Sequence, residues 1–201
     1  MKYTITFIAL LITQIIFGQS NIKTIDSLLN DLLEKGRING NVLIAEKGLI
    51  TYNKSFGLAN ESTKQKLNPN SIFDLASVTK QFTAIGIVLL KEQGKLKYDD
   101  LISKYIPELS FYKGITIKHL LQHTGGLPDY MDLLETSFDK NKIATNDDII
   151  KFYSNKKPKI VFEPGKDWSY SNTGYVLLAS IIEKASGLKY DNFLSKFVFK
   201  P

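Results

Sequence analysis

Apolar residues are spaced in two ways along this chain. From residue 22 they fall at Ile22, Ile25, Leu28, Leu29, Leu32 and Leu33. Steps of three and four place them on one helical face, and Gly36 is a natural stop. "NVLIAEKGLITYNKSFG" then reads as two short strands flanking Lys47-Gly48, a hairpin signal. A polar stretch, "LANESTKQKLNPNS", reads as a loop. Beyond it the pattern is helical. Phe82, Ile85, Ile87, Val88, Leu89 and Leu90 form a long apolar run with Gly94 as its C-cap. "TIKHLLQHTGGLPDY" predicts a short helix ended by glycines and a proline. "TNDDIIKFYSN" opens with a capping box of Thr145 and Asp148. "TGYVLLASIIEKASG" predicts a helix stopped at Gly187, and Tyr190 to Phe197 a last short helical segment. The order of helix, hairpin and then a run of helices points to an α+β fold or a sheet with a helical insertion.

The first residues, "MKYTITFIALLITQIIFGQS", follow a different pattern. One lysine precedes an apolar run of about a dozen residues, the architecture of a signal peptide and short for a membrane span. Residues 1–18 are therefore expected to be removed near Gly18, leaving 19–201 as one domain, with a periplasmic or secreted location and no stable membrane span after cleavage. The composition, 43% hydrophobic and 23% charged over 201 residues, is that of a globular chain able to bury a core. The formal net charge is +6, but the lysines are scattered among acids and form no basic stripe, which argues against nucleic acid as a partner. With no cysteine, the chain has neither a disulfide framework nor a thiolate metal site, and two histidines, His119 and His123, argue against a histidine-rich metal site. No cofactor is expected.

Two short motifs carry candidate chemistry. Ser-x-x-Lys occurs six times, starting at Ser20, Ser77, Ser110, Ser137, Ser154 and Ser186. Only Ser77 stands at an expected strand-to-helix junction before a long apolar helix. There Ser77 and Lys80 lie one turn apart, near the positive end of the helix dipole. A lysine in low-dielectric surroundings can take part in proton transfer from the hydroxyl. The alternative is an N-capping serine and a lysine reaching water. The second motif is "WSYSNTGY". In an extended segment Tyr170 and Asn172 point the same way. A phenol beside a lysine can serve as a base, and an amide can hold a substrate carbonyl or orient the lysine. The alternative is a buried tyrosine with Asn172 capping the next helix. Tyr-x-Asn recurs at Tyr153 and Tyr190, so neither motif decides the matter alone.

Taken together, ordered segments from about Asn39 to Pro201 resemble the serine beta-lactamase-related family, the class C beta-lactamase and D-alanyl-D-alanine carboxypeptidase type. They are "SFGLAN", "FDLASVTKQFTA", "LLKEQGKLKYDDLISKYIPEL", "ITIKHLLQHTGGLPDY", "FEPGKDWSYSNTGYVLLASIIEKASG" and "KFVFKP". This resemblance implies a beta-lactamase/transpeptidase-like fold and a serine hydrolase working by acyl transfer on a D-alanyl peptide, a beta-lactam or a small ester. It implies that Ser77 is acylated and that Lys80 is its proton partner. Tyr170 would be the general base and later acid, and Asn172 would position the lysine and bind substrate. The family's third motif, a Lys- or His-led triplet ending in glycine after the tyrosine motif, has no counterpart. "HTG" at His123 to Gly125 precedes Tyr170 and matches the family's His-Thr-Ser-Gly-Leu segment, with Gly125 in place of serine, so His123 is expected to be packed and hydrogen-bonded. Because "FKP" stands where family members continue into further sheet strands, a truncated domain of weak activity is expected. The alternative reading is a non-catalytic envelope protein that binds peptidoglycan fragments.

Overall fold

The computed structural model describes residues 21–134 and 142–200. The expected signal peptide lies outside them. The chain forms two compact units, one up to Asp74 and one from Leu75.

The first unit is a helix on a hairpin. Helix α1 spans 21–34, and Gly36, with φ +63, turns the chain out of it. Strand β1 (Gly40–Glu46) pairs antiparallel with β2 (Leu49–Phe56). The turn between them places Lys47 and Gly48 at φ +53 and +80, the left-handed pair that a two-residue hairpin requires. Leu29 of α1 buries against Tyr52 and Phe56, with Ile25, Leu32, Val42 and Ile44 around them. Tyr52 donates to Asp26 Oδ1 at 2.7 Å and Lys54 pairs with the same oxygen at 2.6 Å, so one carboxylate ties helix to hairpin. The stretch read as a loop instead contains a small ribbon, β3 (Leu58–Asn60) paired with β4 (Gln65–Lys66). Asn60 Oδ1 accepts from Thr63 N, and Lys64 is left-handed at φ +56. Side-chain turn chemistry, not apolar alternation, makes this ribbon, and the hydrophobic pattern could not reveal it.

The second unit is helical. A 3-10 turn (Ala76–Thr79) leads into α2 (Lys80–Glu92). Then come α3 (Ile117–Leu121), α4 (Tyr130–Leu134), α5 (Asn146–Lys156), α6 (Asn172–Ser186) and α7 (Tyr190–Leu194). No strand precedes Ser77, contrary to the expected strand-to-helix junction: residues 71–75 have no regular structure. The capping box of α5 forms in both directions, Asp148 N to Thr145 Oγ1 and Thr145 N to Asp148 Oδ2. Gly187, at φ +75, ends α6. Helix α6 is the core of this unit. Its Leu177, Leu178, Ile181 and Ile182 are fully buried, packed with Ile87 and Leu90 of α2 and Phe193 of α7. Gly86 lets α2 approach α6 closely, since a Cβ there would stand 2.8 Å from Ile182 Cδ1. This packing sets the start of α2 beside the start of α6. Among the described residues no helix is long and apolar enough to cross a membrane.

Candidate active site

Ser77 lies in the tight turn before α2. Ala76, just ahead of it, has φ +45, a conformation that L-residues adopt at a cost. Thr79 Oγ1 donates to the Ala76 carbonyl at 2.6 Å, and Lys80 N to Ser77 O continues the turn into the helix. Thr79, not Ser77, is the N-cap residue of α2. Ser77 therefore faces outward at the helix start, exposed and free of a capping bond to that helix.

Lys80, the first residue of α2, turns back by one step. Its Nζ donates to Ser77 Oγ at 3.1 Å and to Asn172 Oδ1 at 2.8 Å. The Tyr170 phenol donates to the same Ser77 Oγ at 2.7 Å. The structure thus brings Ser77, Lys80, Tyr170 and Asn172 into one cluster, although Ser77 and Tyr170 are 93 positions apart. Lys80 Nζ also stands 4.8 Å from the centroid of the Tyr170 ring and 5.6 Å from that of Tyr175, within cation–π range. The Lys80 ammonium and the Ser77 hydroxyl hold the Tyr170 phenol below the ordinary tyrosine range. A phenol so placed ionises more readily than an ordinary tyrosine and can then accept the serine proton.

Asn172 is the first residue of α6, and Ser171 stands at the N-cap. The amide is held in one orientation by a residue the sequence did not single out. Asp129 Oδ2 accepts from Asn172 N at 2.6 Å and from Asn172 Nδ2 at 3.0 Å. With the NH₂ group on the carboxylate, the amide oxygen is left to face Lys80. Asp129 is itself held by its neighbours. Thr173 Oγ1 donates to the Pro128 carbonyl at 2.8 Å and accepts from Tyr130 N at 2.9 Å, and the Tyr153 hydroxyl also reaches Pro128 O. An acid just after a Gly-Gly-Leu-Pro run looks like any turn acid, so only the fold reveals this one.

Neither histidine bonds to Ser77 or Lys80. His119 closes a capping box on α3, its Nδ1 accepting from Thr116 N and its N–H donating to Thr116 Oγ1, both at 3.3 Å. His123 accepts from Ser171 N through Nδ1 at 3.1 Å and stacks on Tyr170, a packed and hydrogen-bonded residue. Among the described residues no three His, Asp or Glu side chains gather as a metal site.

A serine at a strained helix entrance, contacted by a lysine and a phenol in an α+β frame, defines the class: penicillin-recognising serine hydrolases. The chain belongs to the beta-lactamase family, whose model matches residues 25–201. It is 49% identical over 183 residues to penicillin-binding protein 4* of Bacillus subtilis (strain 168), an alignment covering 91% of this chain and 40% of that protein. Among solved structures it resembles the octameric penicillin-binding protein homologue from Pyrococcus abyssi, with a TM-score of 0.77 and 30% identity, covering 90% of this chain and 42% of that one. It also resembles the D-amino acid amidase from Ochrobactrum anthropi SV3, with a TM-score of 0.75 and 31% identity, covering 87% and 48%. The chain therefore spans about two fifths of the length of the curated relative.

Proposed function

We propose that this protein is an exported acyl-transfer hydrolase in which Ser77 carries the acyl group. The observation that carries this reading is the convergence of Lys80 Nζ and Tyr170 OH on Ser77 Oγ, at 3.1 and 2.7 Å. As drawn, Oγ accepts from both. Attack requires the phenolate form of Tyr170, which reverses one bond so that Ser77 donates. Oγ then bonds to the substrate carbonyl carbon, its proton passes to the Tyr170 oxygen, and the carbonyl π electrons move to oxygen. Collapse re-forms the carbonyl and expels the leaving group, which takes that proton from Tyr170. Water repeats the sequence on the acyl-serine with Tyr170 again as base. The Lys80 ammonium lowers the energy of the phenolate throughout, and Asn172, oriented by Asp129, holds the lysine. The acylation rate should therefore climb with pH until Tyr170 is fully ionised, and level off below the ordinary tyrosine value of about 10.

The substrate class we propose is a D-alanyl peptide, a beta-lactam or a small ester. The relatives' own names, penicillin-binding protein and D-amino acid amidase, point to acyl donors of these kinds. The basic composition suits the anionic cell envelope, and residues 1–18 suit export there. The test is covalent labelling of the protein with a fluorescent penicillin and with an activated ester, followed by peptide mass mapping. The adduct is expected on Ser77, lost in Ser77→Ala, and formed roughly 10²–10⁴-fold more slowly in Tyr170→Phe. An adduct mapped elsewhere, or one that survives Ser77→Ala, would overturn the assignment.

A further inference from the structure

We propose that His123 is a positioning residue for Tyr170, acting only as an uncharged imidazole with its proton on Nε2. This inference rests on the acyl-transfer reading for its kinetic consequence, but its geometry stands apart from it. His123 follows α3 in a left-handed conformation, φ +58. Thr124 N bonds back to His119 O at 2.9 Å, so His123 closes the helix and is rigidly held. From there it grips the chain on both sides of Tyr170. Its carbonyl accepts from Ser169 N at 3.0 Å, and its Nδ1 accepts from Ser171 N at 3.1 Å. The imidazole lies against the Tyr170 ring, with centroids 4.7 Å apart and planes 30° apart. Tyr175 packs on it at 5.2 Å, and Trp168 meets it edge-on at 6.1 Å. Backbone before, backbone after and the ring itself are thus held by one residue, and that residue hydrogen-bonds to neither Ser77 nor Lys80.

The donor chemistry dictates the tautomer. Ser171 N–H can only donate, so Nδ1 must carry a lone pair and Nε2 the proton. Protonation would replace that lone pair with a second N–H aimed at the first, and would set a cation beside Lys80. The titratable groups around the ring are Lys80 from α2, His119 from α3, Asp129, Tyr170, and Tyr175 from α6. Burial and the Lys80 charge hold the imidazole below the ordinary histidine range against the pull of Asp129, and the bond from Ser171 N–H, which needs the Nδ1 lone pair, favours the same uncharged form. The clamp is therefore intact at neutral pH and released only in acid.

Two measurements that need no turnover test this. The chain has two histidines, so His123 is assigned in an imidazole NMR spectrum by its loss in His123→Asn. It should be uncharged with the proton on Nε2 at pH 7, and titrate below about 6.5. The phenol of Tyr170, followed by ¹³C NMR, should move toward the free-tyrosine value in His123→Ala. It should move less in His123→Asn, which tolerates the left-handed backbone and can offer an oxygen to Ser171 N–H. Where Ser77 labelling is established, His123→Ala should slow acylation by roughly 10–10² with KM little changed, since a displacement of about 1 Å is enough. The wild-type rate should fall in acid more steeply than loss of the Tyr170 phenolate alone gives, and in His123→Asn that extra fall should vanish, leaving the Tyr170 limb. A proton on Nδ1 at pH 7, or a folded His123→Ala with unchanged Tyr170 titration, would overturn the proposal. Failure of Ser77 labelling alone would refute only the acyl-transfer reading, because the titrations do not depend on it.

Discussion

Asp129 shows how a single carboxylate can set the polarity of a site without bonding to its serine or lysine. Its one oxygen takes both the first backbone N–H of α6 and the Asn172 NH₂ group, and so decides which end of that amide meets Lys80. Hydrogen bonds to a carboxylate are shorter and stronger than neutral ones. Removing the acceptor in Asp129→Ala strands a backbone donor and frees the amide to turn. We expect a loss of about 1–3 kcal/mol in a urea melt and slower Ser77 acylation, because a turned amide would present N–H to an ammonium. Asp129→Asn keeps one acceptor and should fall between wild type and alanine in both measurements; an alanine variant equal to wild type in both would show that Asn172 orients itself. At this scale the sequence was only partly legible. Ser77, Lys80, Tyr170 and Asn172 stand in recognisable order and the fold gathers them, whereas Asp129 pairs across 43 positions with nothing local to mark it.

The segment from α3 to α4 was legible in its type and misread in its mechanism. The run "HTGGLPD" reads as a helix ended by glycines, yet the left-handed residue that ends α3 is His123, and Gly125 does not have positive φ. The glycine that backbone geometry requires is Gly126, at φ +71, where an added Cβ would fall 1.9 Å from the Phe162 carbonyl oxygen. Val161 N bonds to Gly126 O at 2.8 Å, so that strap cannot retreat without losing its own anchor. At Gly125, by contrast, a Cβ would meet Ile115 and Leu120 at 3.5 and 3.6 Å, ordinary contact distances. The two neighbouring positions should therefore behave oppositely. Gly125→Ala is expected to be neutral or to stabilise by about 0.4–1 kcal/mol, through the entropy of the unfolded chain. Gly126→Ala should destabilise by more than that and displace Asp129 with it. Thermal melts of the two variants check the ordering, and equal effects would mean that the 161–162 strap yields freely.

At the scale of the molecule, periodicity revealed where helices and the hairpin lie but not how unevenly the core is shared. Among the described residues the first unit buries Leu29, Tyr52 and Phe56, while the second buries a cluster of nineteen apolar residues centred on α6. Both had looked alike in sequence, because Ile25, Leu28 and Leu32 repeat as regularly as Leu177, Ile181 and Ala185. What differs is the number of neighbours covering each face, a tertiary property. A two-stranded hairpin is marginal on its own, and here it is held by the small core it shares with α1. Opening free energies within a protein follow buried apolar contact, from nearly zero at frayed elements up to the global value in the core. Amides of β1 and β2 should thus exchange with deuterium well before those of α2 and α6, even though the hairpin turn is well formed. Asp26 holds α1 to β2 through Tyr52 and Lys54, so Asp26→Ala should speed exchange in β1 and β2 and leave α6 unchanged. Hydrogen-exchange mass spectrometry of peptides from 40–56 and 172–186 gives the comparison. Equal protection in the two peptides would mean that the small core opens only with the large one, and that the chain unfolds as a single cooperative body.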